Sequence, residues 1–387
     1  MDPSAPVFSA DDARFMRRAL SLAASATGDT SPNPLVGAVV VQAGKIIGEG
    51  WHHQAGQPHA EVEAIRQAQS TGRSLGRSTL YVTLEPCCTH GRTPPCTEAI
   101  LKARIPQVVV AAVDPNPRHA GAGLELLAKA GVKVQAGLLA DRSVDLNEGF
   151  HHWIVHRRPF VTLKSASTLD GKIATASGES KWITGERARK EGMNLRRRSD
   201  AILVGVNTII ADDPSLTWRG RKRVTPLRRV ILDPKLRIPV GAQVLTDDHR
   251  AHTIIVTSEP APKRALRALP AEVKVLIAPL SSGKLDLAWV MDQLGQLQIQ
   301  SLLVEGGGET HAEFLKAGLA HRIVFFYAPL ILGGRDSRKS VGGDHSLAGY
   351  PKGLPLHEVK YRWMGVDLML RALIQPRASI AYVHRNR

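Results

Sequence analysis

Three side chains of metal-binding type, those of His59, Cys87 and Cys96, most constrain how this chain can fold. Catalytic zinc commonly has three protein ligands and keeps a fourth position open for water. To serve as ligands, the three residues must meet at one point. The patterns around them indicate how: His59 lies at a helix start, Cys87 follows a strand, and Cys96 precedes the next helix. Glu61, two residues after the histidine, is close enough to act there without binding the metal.

The same residues match a known chemical pattern. Zinc deaminases use His-x-Glu followed by a Pro-Cys pair, and their glutamate moves protons instead of binding the metal. In this chain the histidine and glutamate are residues 59 and 61, and Pro86 precedes Cys87. The sequence therefore predicts His59, Cys87 and Cys96 as zinc ligands. It predicts Glu61 as the catalytic proton carrier in a reaction that releases ammonia.

The cysteine loop leaves alternatives open. The general deaminase spacing is Cys-x-x-Cys, whereas eight residues separate Cys87 from Cys96. Cys88 competes for the ligand role, although only Cys87 follows the proline directly. A structural zinc site would need a fourth ligand, for which Cys88 and His90 are candidates. Taken singly, a histidine is usually a packed or surface residue, and a cysteine is usually a small buried hydrophobe.

Length and composition indicate a globular chain with two domains. A chain of 387 residues is too long to form a single hydrophobic core of ordinary size. Its content of 43% hydrophobic and 22% charged residues is typical of globular proteins. No apolar run approaches the roughly 18 residues of a membrane span, and the N-terminal segment has no secretory or transit pattern. All three cysteines lie between positions 87 and 96, which indicates metal binding or catalysis, not a disulfide framework. We therefore expect a cytoplasmic location.

The positive charge lies entirely in the second part of the chain. The net charge is +16. Residues 1–150 hold 14 Lys and Arg against 14 Asp and Glu, whereas residues 151–387 hold 37 against 21. Such different parts indicate two domains with different ligands. A solvated basic surface explains many of these charges. Nucleic acid and phosphorylated small molecules are the other interpretations, and the motifs of the second part favour the last.

Helix and strand patterns alternate along the chain. In the first part we expect helices at 9–27, 59–70, 97–103 and 123–130, and strands at 36–41, 45–50, 79–84, 107–112 and 132–136. This order predicts a three-layer α/β/α sandwich. After a basic, aromatic, aperiodic segment at 151–159 the alternation resumes, with strands at 160–165, 201–205, 229–233, 252–256, 301–304 and 322–328 and helices at 185–198, 286–297 and 310–317. We expect domains at 1–150 and 151–374 and a basic, loosely ordered tail at 375–387.

Six motifs together resemble one family. They are SPNPLVG at 31–37, PCCTHGRTPPC at 86–96, DPNP at 114–117, STLDGKIA at 167–174, GESKWIT at 178–184 and ADDPSLT at 211–217. Their order and spacing resemble those of the bifunctional deaminase/reductases of riboflavin biosynthesis, and the match runs from about residue 12 to about residue 374. Family members usually have serine after the first ligand cysteine, where this chain has Cys88. The spare thiol would alter oxidation sensitivity and not mechanism.

The resemblance implies a cytidine-deaminase-like first domain. It also implies a dihydrofolate-reductase-like α/β second domain instead of a doubly wound Rossmann sheet. The first would use Zn²⁺ to remove the 2-amino group of 2,5-diamino-6-ribosylamino-4(3H)-pyrimidinone 5′-phosphate. The second would use NADPH to reduce the ribosyl chain, giving 5-amino-6-ribitylaminouracil 5′-phosphate. We expect a small phosphorylated substrate, a homo-oligomer, and no binding of nucleic acid or membrane.

The resemblance also assigns residues of the reductase site by position. NADPH would contact Ala166, Trp182, Thr208, Asp212, Gly307, Gly308, Glu309, Thr310, His311, Ala312 and Glu313. The substrate would contact Ser180, Arg196, Leu216, Arg219 and Glu305. For the deaminase site it implies the same ligands and proton carrier that the zinc pattern predicts.

Residue chemistry supports part of this assignment and leaves the rest open. Glycines after the strand at 301–304 let backbone N–H groups approach a phosphate, and a helix start follows. They do not match G-x-G-x-x-G, and alone they are equally typical of a surface turn. Arg196 can grip a ribose 5′-phosphate or be a solvated helix end. Trp182, taken alone, is more typical of a core aromatic. Lys164 and Asp170 are candidates for the reductase proton donor.

Two other functions compete with this interpretation. A nucleic-acid deaminase with a basic accessory domain would explain the charge, but it would need positive charge near the zinc ligands, where residues 1–150 are neutral overall. A non-catalytic descendant would keep the fold as a binding module. The intact zinc pattern disfavours that descendant for the first domain, whereas the less defined second domain leaves it open.

Overall fold

A computed structural model of the chain describes residues 7–91, 94–116, 119–220, 223–343 and 353–377. The chain divides into two units, the first ending at His156 and the second beginning at Arg157. This break lies inside the 151–159 segment and six residues beyond the expected boundary at 150. The segment is not aperiodic, because the helix Glu148–His156 occupies most of it. Of the expected tail at 375–387, residues 378–387 lie outside the described part.

The described residues of the first unit form a five-stranded sheet with helices on both faces. The helices are α1 (Ala10–Ser25), α2 (Ala60–Gln69), α3 (Cys96–Lys102), α4 (Ala122–Lys129), α5 (Ala140–Leu146) and α6 (Glu148–His156); the strands are β1 (Gly37–Gln42), β2 (Lys45–Trp51), β3 (Ser78–Leu84), β4 (Gln107–Ala112) and β5 (Lys133–Ala136). The strand order is β2-β1-β3-β4-β5. β1 runs antiparallel to both of its neighbours, and β3, β4 and β5 are parallel.

Alternating side chains of the central strands produce the three layers. Val39 packs in one cluster with Phe15 of α1, whereas the next residue, Val40, packs on the opposite face with Ile65 of α2. Successive side chains of a strand point to opposite faces, so a strand covered on both sides reads as a nearly continuous apolar run. The predicted α/β/α sandwich is confirmed.

Two glycines of β2 set the depth at which α2 lies on the sheet. A Cβ added at Gly50 would stand 2.3 Å from the carbonyl oxygen of Ala60, and one at Gly48 would stand 2.2 Å from that of Ala64. Both obstacles are backbone atoms, so the helix itself would have to move. Since α2 begins directly after His59 and carries Glu61, this close approach positions the first candidate site.

The described residues of the second unit form a nine-stranded sheet, two short strand pairs and six α-helices. The strands are β6 (Phe160–Thr168), β7 (Lys172–Ala174), β8 (Ala201–Gly205), β9 (Arg228–Leu232), β10 (Thr253–Ser258), β11 (Lys274–Ala278), β12 (Leu280–Ser281), β13 (Lys284–Leu285), β14 (Ser301–Val304), β15 (Arg322–Ala328), β16 (Arg338–Lys339), β17 (His357–Met364) and β18 (Asp367–Leu373); the helices are α7 (Glu186–Arg197), α8 (Val206–Asp212), α9 (Gln243–Thr246), α10 (Lys263–Arg267), α11 (Leu287–Gln296) and α12 (Gly308–Lys316).

The order of this sheet brings three strand ends together. It is β11-β10-β9-β8-β14-β6-β15-β18-β17. The strands from β11 to β15 are parallel, and β18 pairs antiparallel with both β15 and β17. β14, formed late in the chain, inserts between β8 and β6. The strand order therefore reverses beside β14, which makes this position a topological switch point. Ligands of α/β sheets bind at the carboxyl ends of the strands beside such a point. The α/β class predicted for this unit is confirmed.

Apolar side chains cover both faces of the second sheet. Leu203 of β8 belongs to a cluster that includes Phe314 of α12, whereas its neighbour Ile202 packs with Ile209 of α8 on the other face. No helix that the described residues form combines the length and apolar character needed to cross a membrane.

We expect Gly50→Ala to lower the free energy of unfolding of the first unit by about 1–3 kcal/mol, the usual cost of overpacking. Urea denaturation of the full chain measures this change. Gly76→Ala is the matched control, because its Cβ would meet only the Ser74 hydroxyl, at 3.6 Å. Equal unfolding midpoints for the two variants would contradict the proposed role of the close helix–strand approach.

Candidate functional site

His59, Cys87 and Cys96 meet at one point of the first unit. One ligand atom from each lies within 4.8 Å of the others. His59 Nδ1 is 3.2 Å from Cys96 Sγ and 3.5 Å from Cys87 Sγ. With Zn–N near 2.0 Å and Zn–S near 2.3 Å, a tetrahedral zinc ion separates its nitrogen and sulfur ligands by about 3.5 Å. The donor set and its spacing fit one zinc ion.

Helix starts and one folded loop hold the three residues. His59 is the extended residue before α2, and Cys96 is the first residue of α3. The Cys96 N–H donates to Cys87 Sγ at 3.3 Å, and the Thr97 N–H donates to the Cys87 carbonyl oxygen at 3.2 Å. The side-chain hydrogen bond with Cys96 lowers the pKa of Cys87 most, and the hydrogen bonds with the His59 ring and the Cys96 N–H add to this effect. One thiolate is therefore favoured in the cluster even without a cation.

Glu61 lies buried beside these ligands. Its side chain is 3% exposed, and its Oε2 has no hydrogen-bond partner among the described residues. Burial raises the pKa of Glu61 to about 7, and the negative charge of Cys87 adds to the shift. A divalent cation between the ligand atoms would favour the ionised carboxylate. A carboxyl group that can hold or release a proton near neutral pH is suited to general acid–base chemistry.

Among the residues that the structure describes, no fourth protein ligand is found. Within the described residues, the group able to hold a metal consists of His59, Cys87 and Cys96. Cys88 stays outside it, and burial raises the pKa of its thiol. The His90 ring lies 3.8 Å from Glu98, and its side chain is 73% exposed. This arrangement does not support the closed structural site and favours a catalytic site with one open position.

Glu85 has a structural role that the sequence did not reveal. Its carboxylate accepts hydrogen bonds from the backbone N–H groups of Asp114 at 3.1 Å, Gly121 at 2.9 Å and Gly123 at 2.9 Å. A Cβ at Gly123 would stand 2.3 Å from the carbonyl oxygen of Pro86. Glu85 therefore fastens the DPNP segment to the loop that carries Cys87. Burial raises the pKa of Asp114 in that segment to about 6.

His52 and Asn33 form a second polar layer behind the ligands. The His52 ring meets the His59 ring edge-on, with centroids 5.3 Å apart. His52 Nδ1 lies 3.2 Å from the Pro58 carbonyl oxygen, and Nε2 lies 3.0 Å from Asn33 Nδ2. The carbonyl can only accept, so Nδ1 carries the proton and Nε2 accepts from the amide. Burial lowers the pKa of His52, which agrees with a neutral ring. The SPNP motif was the available signal for Asn33.

A second candidate site lies at the carboxyl ends of β8 and β14, beside Lys164 in the middle of β6. Glu305 follows β14 directly, and Arg196 of α7 binds it with two hydrogen bonds, Nε to Oε1 at 3.0 Å and Nη2 to Oε2 at 2.9 Å. Lys164 Nζ of β6 stands 4.0 Å from Oε2. Burial alone would raise the pKa of Glu305, but the positive charges of Arg196 and Lys164 hold it at about 2.

Arg196 differs from both sequence interpretations. Its side chain is only 13% exposed, so it is not a solvated helix end. The fork expected to grip a phosphate holds Glu305 instead, and Nη1 donates to the Thr217 carbonyl oxygen at 2.9 Å. Two further N–H groups of the guanidinium remain for a ligand. A bidentate phosphate grip by Arg196 would require it to release Glu305.

The glycine run after β14 serves two purposes. A Cβ at Gly308 would stand 2.2 Å from the Lys339 carbonyl oxygen, and one at Gly306 would stand 2.7 Å from Thr310 Cβ. The packing of the chain itself therefore requires both residues to be glycine. A Cβ at Gly307 would meet nothing within 4 Å. Beside this open residue α12 begins, and its first N–H groups fit the diphosphate of a dinucleotide.

The later residues assigned to the cofactor are engaged elsewhere. The buried His311 ring bonds to the carbonyl oxygens of Ser340 at 2.8 Å and Val304 at 3.4 Å. Ala312 is fully buried, and Glu313 forms an ion pair with Lys284 at 2.7 Å. Of the residues from Gly307 to Glu313 that were expected to contact NADPH, those from Gly307 to Thr310 lie next to the end of β14.

The segment around Trp182 is exposed. The Trp182 side chain is 72% exposed, so it is not a core aromatic. The Arg189 guanidinium lies 4.9 Å from its ring centre. The preceding Lys181 pairs with Asp212 at the end of α8, at 3.2 Å. This ion pair ties two of the expected cofactor-contact regions together, so Trp182 and Asp212 stay candidates.

The other assigned residues differ in what they can offer a ligand. Leu216 is 2% exposed and has a positive φ of 51°, so it can contact a substrate only through its backbone. The side chains that stay accessible are the partly buried Ser180, Ala166 of β6 and Thr208 of α8, and the exposed Arg219.

Asp170 does not suit the role of reductase proton donor. Its carboxylate accepts a hydrogen bond from the Thr168 hydroxyl at 2.6 Å and from the N–H groups of Leu332 at 3.1 Å and Gly333 at 2.8 Å. These bonds, that of Thr168 foremost, lower its pKa to about 2. Lys164 is the candidate that remains.

Comparison with known proteins decides the family. A family model described as the cytidine and deoxycytidylate deaminase zinc-binding region matches residues 9–112, and one described as the RibD C-terminal domain matches residues 159–370. The chain is 45% identical over 359 residues to riboflavin biosynthesis protein RibD of Aquifex aeolicus, covering 93% of this chain and 97% of that one. The chain belongs to the bifunctional riboflavin-biosynthesis deaminase/reductase family. The Escherichia coli relative of the same name is 39% identical over 367 residues, covering 93% and 98%.

Solved structures of this family agree. Acinetobacter baumannii RibD, form 1, matches with a TM-score of 0.82 and 37% identity, covering 94% of this chain and 98% of that one. A Thermotoga maritima protein, described as a diaminohydroxyphosphoribosylaminopyrimidine deaminase/5-amino-6-(5-phosphoribosylamino)uracil reductase, matches with the same TM-score, identity and coverage. The chain is thus an enzyme of riboflavin biosynthesis, both deaminase and reductase, with Zn²⁺ and NADPH as cofactors. The alternative of a nucleic-acid deaminase loses support, because the second unit matches the RibD C-terminal domain.

In this member of the deaminase/reductase family, we expect Cys96→Ser and Cys87→Ser to purify with at least about tenfold less zinc than the wild-type chain. Cys88→Ser is the matched control and should retain one zinc ion per chain, because its thiol lies outside the ligand group. Elemental analysis of the full-length proteins measures the content. Zinc loss in Cys88→Ser with retention in Cys87→Ser would contradict the ligand assignment.

We expect Arg196→Met to lower the free energy of unfolding of the second unit by about 3 kcal/mol at pH 7, because it leaves a buried charge without its main partner. The depressed pKa of Glu305 contributes stability above its ordinary value of 4.5 that is lost as the pH falls toward 2. The deficit of the variant should therefore shrink below pH 4.5. Arg250→Met removes an exposed pair with Glu272 and should cost under about 1 kcal/mol. A pH-independent deficit in chemical denaturation would contradict this.

Proposed function

We propose that the first unit deaminates 2,5-diamino-6-ribosylamino-4(3H)-pyrimidinone 5′-phosphate. The second unit would then reduce the ribosyl chain of the product to give 5-amino-6-ribitylaminouracil 5′-phosphate. The single observation that carries the deaminase half is the buried Glu61, whose Oε2 is unpaired among the described residues, beside three atoms spaced as zinc ligands. The substrate itself is proposed from the resemblance of the motifs and from the description of the Thermotoga maritima relative.

His59, Cys87 and Cys96 would hold the zinc, with one imidazole and two thiolates as ligands. When bound, zinc lowers the pKa of a water ligand from 15.7 toward about 7 and so supplies a nucleophile at neutral pH. Glu61 would handle the proton at both ends of the reaction. It accepts one as water attacks the carbon that bears the amino group, and it delivers one to the amine that leaves as ammonia.

The surroundings of Glu61 support this assignment. Its pKa of about 7 reflects a site that excludes solvent, where neither the acid nor the carboxylate form is strongly preferred. His52, held neutral by burial, fixes the ring of His59 from behind. Asp114, which interacts electrostatically with Cys87, supplies a polar group near the ligand loop that can orient a pyrimidine through its exocyclic amino groups.

The reductase half rests on the group at the carboxyl end of β14. NADPH would supply the hydride, with its diphosphate at Gly307 and the first turn of α12. Glu305 is held ionised by Arg196 and Lys164, so it can accept hydrogen bonds from sugar hydroxyl groups but cannot donate a proton. We assign Lys164 to supply the proton that the sugar oxygen needs as the hydride arrives, because an ammonium 4.0 Å from its carboxylate partner stays free to reorient.

We also propose that the chain acts on small phosphorylated substrates and not on nucleic acid, as a homo-oligomer in the cytoplasm. The neutral charge of residues 1–150 and the three clustered cysteines support the first and last of these. The oligomer is expected from the family resemblance.

We expect Glu61→Gln to keep its zinc and to release ammonia about 10²- to 10⁴-fold more slowly, since an amide cannot carry the proton. Glu63→Gln is the matched control on the same helix, because Glu63 pairs with Arg66 at the surface. An ammonia assay and elemental analysis on the same preparations measure both quantities. Ammonia release at the wild-type rate would exclude the proton-carrier role.

The order of the two reactions gives a further test. The wild-type chain given the diaminopyrimidinone phosphate should release ammonia before the nicotinamide absorbance falls. Glu61→Gln should consume NADPH with that substrate no faster than it releases ammonia and should regain the wild-type rate when given the deaminated pyrimidine. NADPH consumption by the variant on the unreacted diamino compound would contradict the proposed order.

A further inference from the structure

The segment that follows α8 contains a backbone conformation that few side chains tolerate. Leu216 has a φ of 51°, in the left-handed region that leucine rarely adopts. Its side chain is 2% exposed and packs in one apolar cluster with Ile202 and Ile209. Among the described residues, neither the N–H nor the C=O group of Leu216 has a hydrogen-bond partner. The backbone is therefore the part of Leu216 that a ligand can bind.

Two arginines hold the peptide groups on either side of Leu216. Arg196 Nη1 donates to the Thr217 carbonyl oxygen at 2.9 Å, and Arg229 Nη1 donates to the Ser215 carbonyl oxygen at 3.1 Å. A strained backbone persists only where its surroundings determine it, and such positions cluster at ligand sites. Since the first bond comes from the site at the end of β14, the second raises the question of what Arg229 does there.

The Arg229 guanidinium is wholly committed to the protein. Its side chain is 0% exposed. Nη1 and Nη2 each donate to one carboxylate oxygen of Asp247, at 2.6 and 2.8 Å. Nε donates to the Thr253 hydroxyl at 3.0 Å, and Nη2 also donates to the Val244 carbonyl oxygen at 3.0 Å. With the bond to Ser215, all five N–H groups are used. Arg229 can therefore act on a ligand only through the residues that it holds.

The short helix α9 supports the same segment twice. Gln243, its first residue, binds Asp213 just after α8: the Gln243 N–H donates to Oδ1 and the side-chain amide donates to the Asp213 carbonyl oxygen, both at 2.8 Å. α9 and the residue after it also hold the Arg229 guanidinium. The segment is thus fixed directly at Asp213 and, through Arg229, at Ser215.

We propose that Arg229, fixed by Asp247, is a positioning residue of the reductase. It holds the Ser215 carbonyl so that the Leu216 backbone presents its N–H and C=O groups to the pyrimidine substrate. This role rests on the proposed function of the second unit and on the resemblance that assigns Leu216 to the substrate. Without the bond from Arg229, the Leu216 peptide would relax toward a commoner conformation, and the substrate would lose a preformed contact.

Steady-state kinetics of the full-length chain with NADPH and the deaminated pyrimidine test this role. Arg229→Lys keeps a positive charge beside Asp247 but lacks the fork that reaches Ser215. We expect it to raise the KM for the pyrimidine about five- to thirtyfold, the equivalent of one or two hydrogen bonds. The kcat of reduction should fall by less than about threefold. The KM for NADPH and the rate of ammonia release by the first unit should not change.

Arg228→Lys is the matched control, because it makes the same substitution at the neighbouring residue of β9. Arg228 Nη1 donates to the Leu297 carbonyl oxygen, which lies outside the segment after α8. This variant should leave both KM values and the kcat of reduction unchanged. A structural effect of replacing a partly or fully buried arginine in this strand would appear in both variants.

The outcomes separate this inference from the proposed function. An unchanged KM for the pyrimidine in Arg229→Lys would overturn the inference and leave the reductase standing. An equal rise in the KM for NADPH, or the same rise in Arg228→Lys, would show a general loosening and would also overturn it. A wild-type chain that does not reduce the deaminated pyrimidine would overturn both. Should Arg229→Lys fail to fold, Asp247→Asn carries the same expectation, because it weakens the anchor of Arg229 at a side chain that is 27% exposed.

Discussion

The function of the first unit depends on a buried carboxylate, that of Glu61, whose Oε2 has no hydrogen-bond partner in the part of the chain that the structure describes. Leaving such a group unsatisfied costs about 1–3 kcal/mol or more, and a folded chain rarely keeps one without a use. Glu61 has this position because β2 lets α2 approach to backbone contact at Gly48 and Gly50. A cation held by His59 and the two cysteines would supply the missing partner, so the same site that destabilises the empty fold is suited to metal-dependent proton transfer.

The second unit also has a buried glutamate, but there the surroundings keep the carboxylate ionised. Glu305 is also buried, but Arg196 and Lys164 surround it, and its pKa falls to about 2 where that of Glu61 rises to about 7. Environment alone therefore separates a carboxyl group that exchanges a proton from one that stays ionised. In the proposed reactions the first moves protons and the second holds a sugar in place. The two proposed steps on one pyrimidine thus depend on a glutamate with a raised pKa in the first unit and on one with a lowered pKa in the second.

The sequence predicted what short segments determine by themselves. The zinc ligands and Glu61 lie in two local motifs, and the predicted α/β/α sandwich follows from apolar runs buried on both faces. Contacts between distant positions were not predictable. Nothing near Arg196 shows that Glu305 occupies its fork. The strand pair β17 and β18 was missed because residues such as Tyr361 and Trp363 are 65% and 71% exposed, so their apolar character does not report burial. Residues 151–156 were expected to be aperiodic, yet they lie in α6.

Zinc-edge X-ray absorption of the purified full-length chain tests the central claim most directly, because it reads the coordination shell itself. We expect two sulfur atoms at about 2.3 Å and two nitrogen or oxygen atoms at about 2.0 Å, one of them from solvent. A shell with three sulfur atoms would assign Cys88 as a ligand and close the site. That result, or a working enzyme without bound metal, would contradict the account of the deaminase unit.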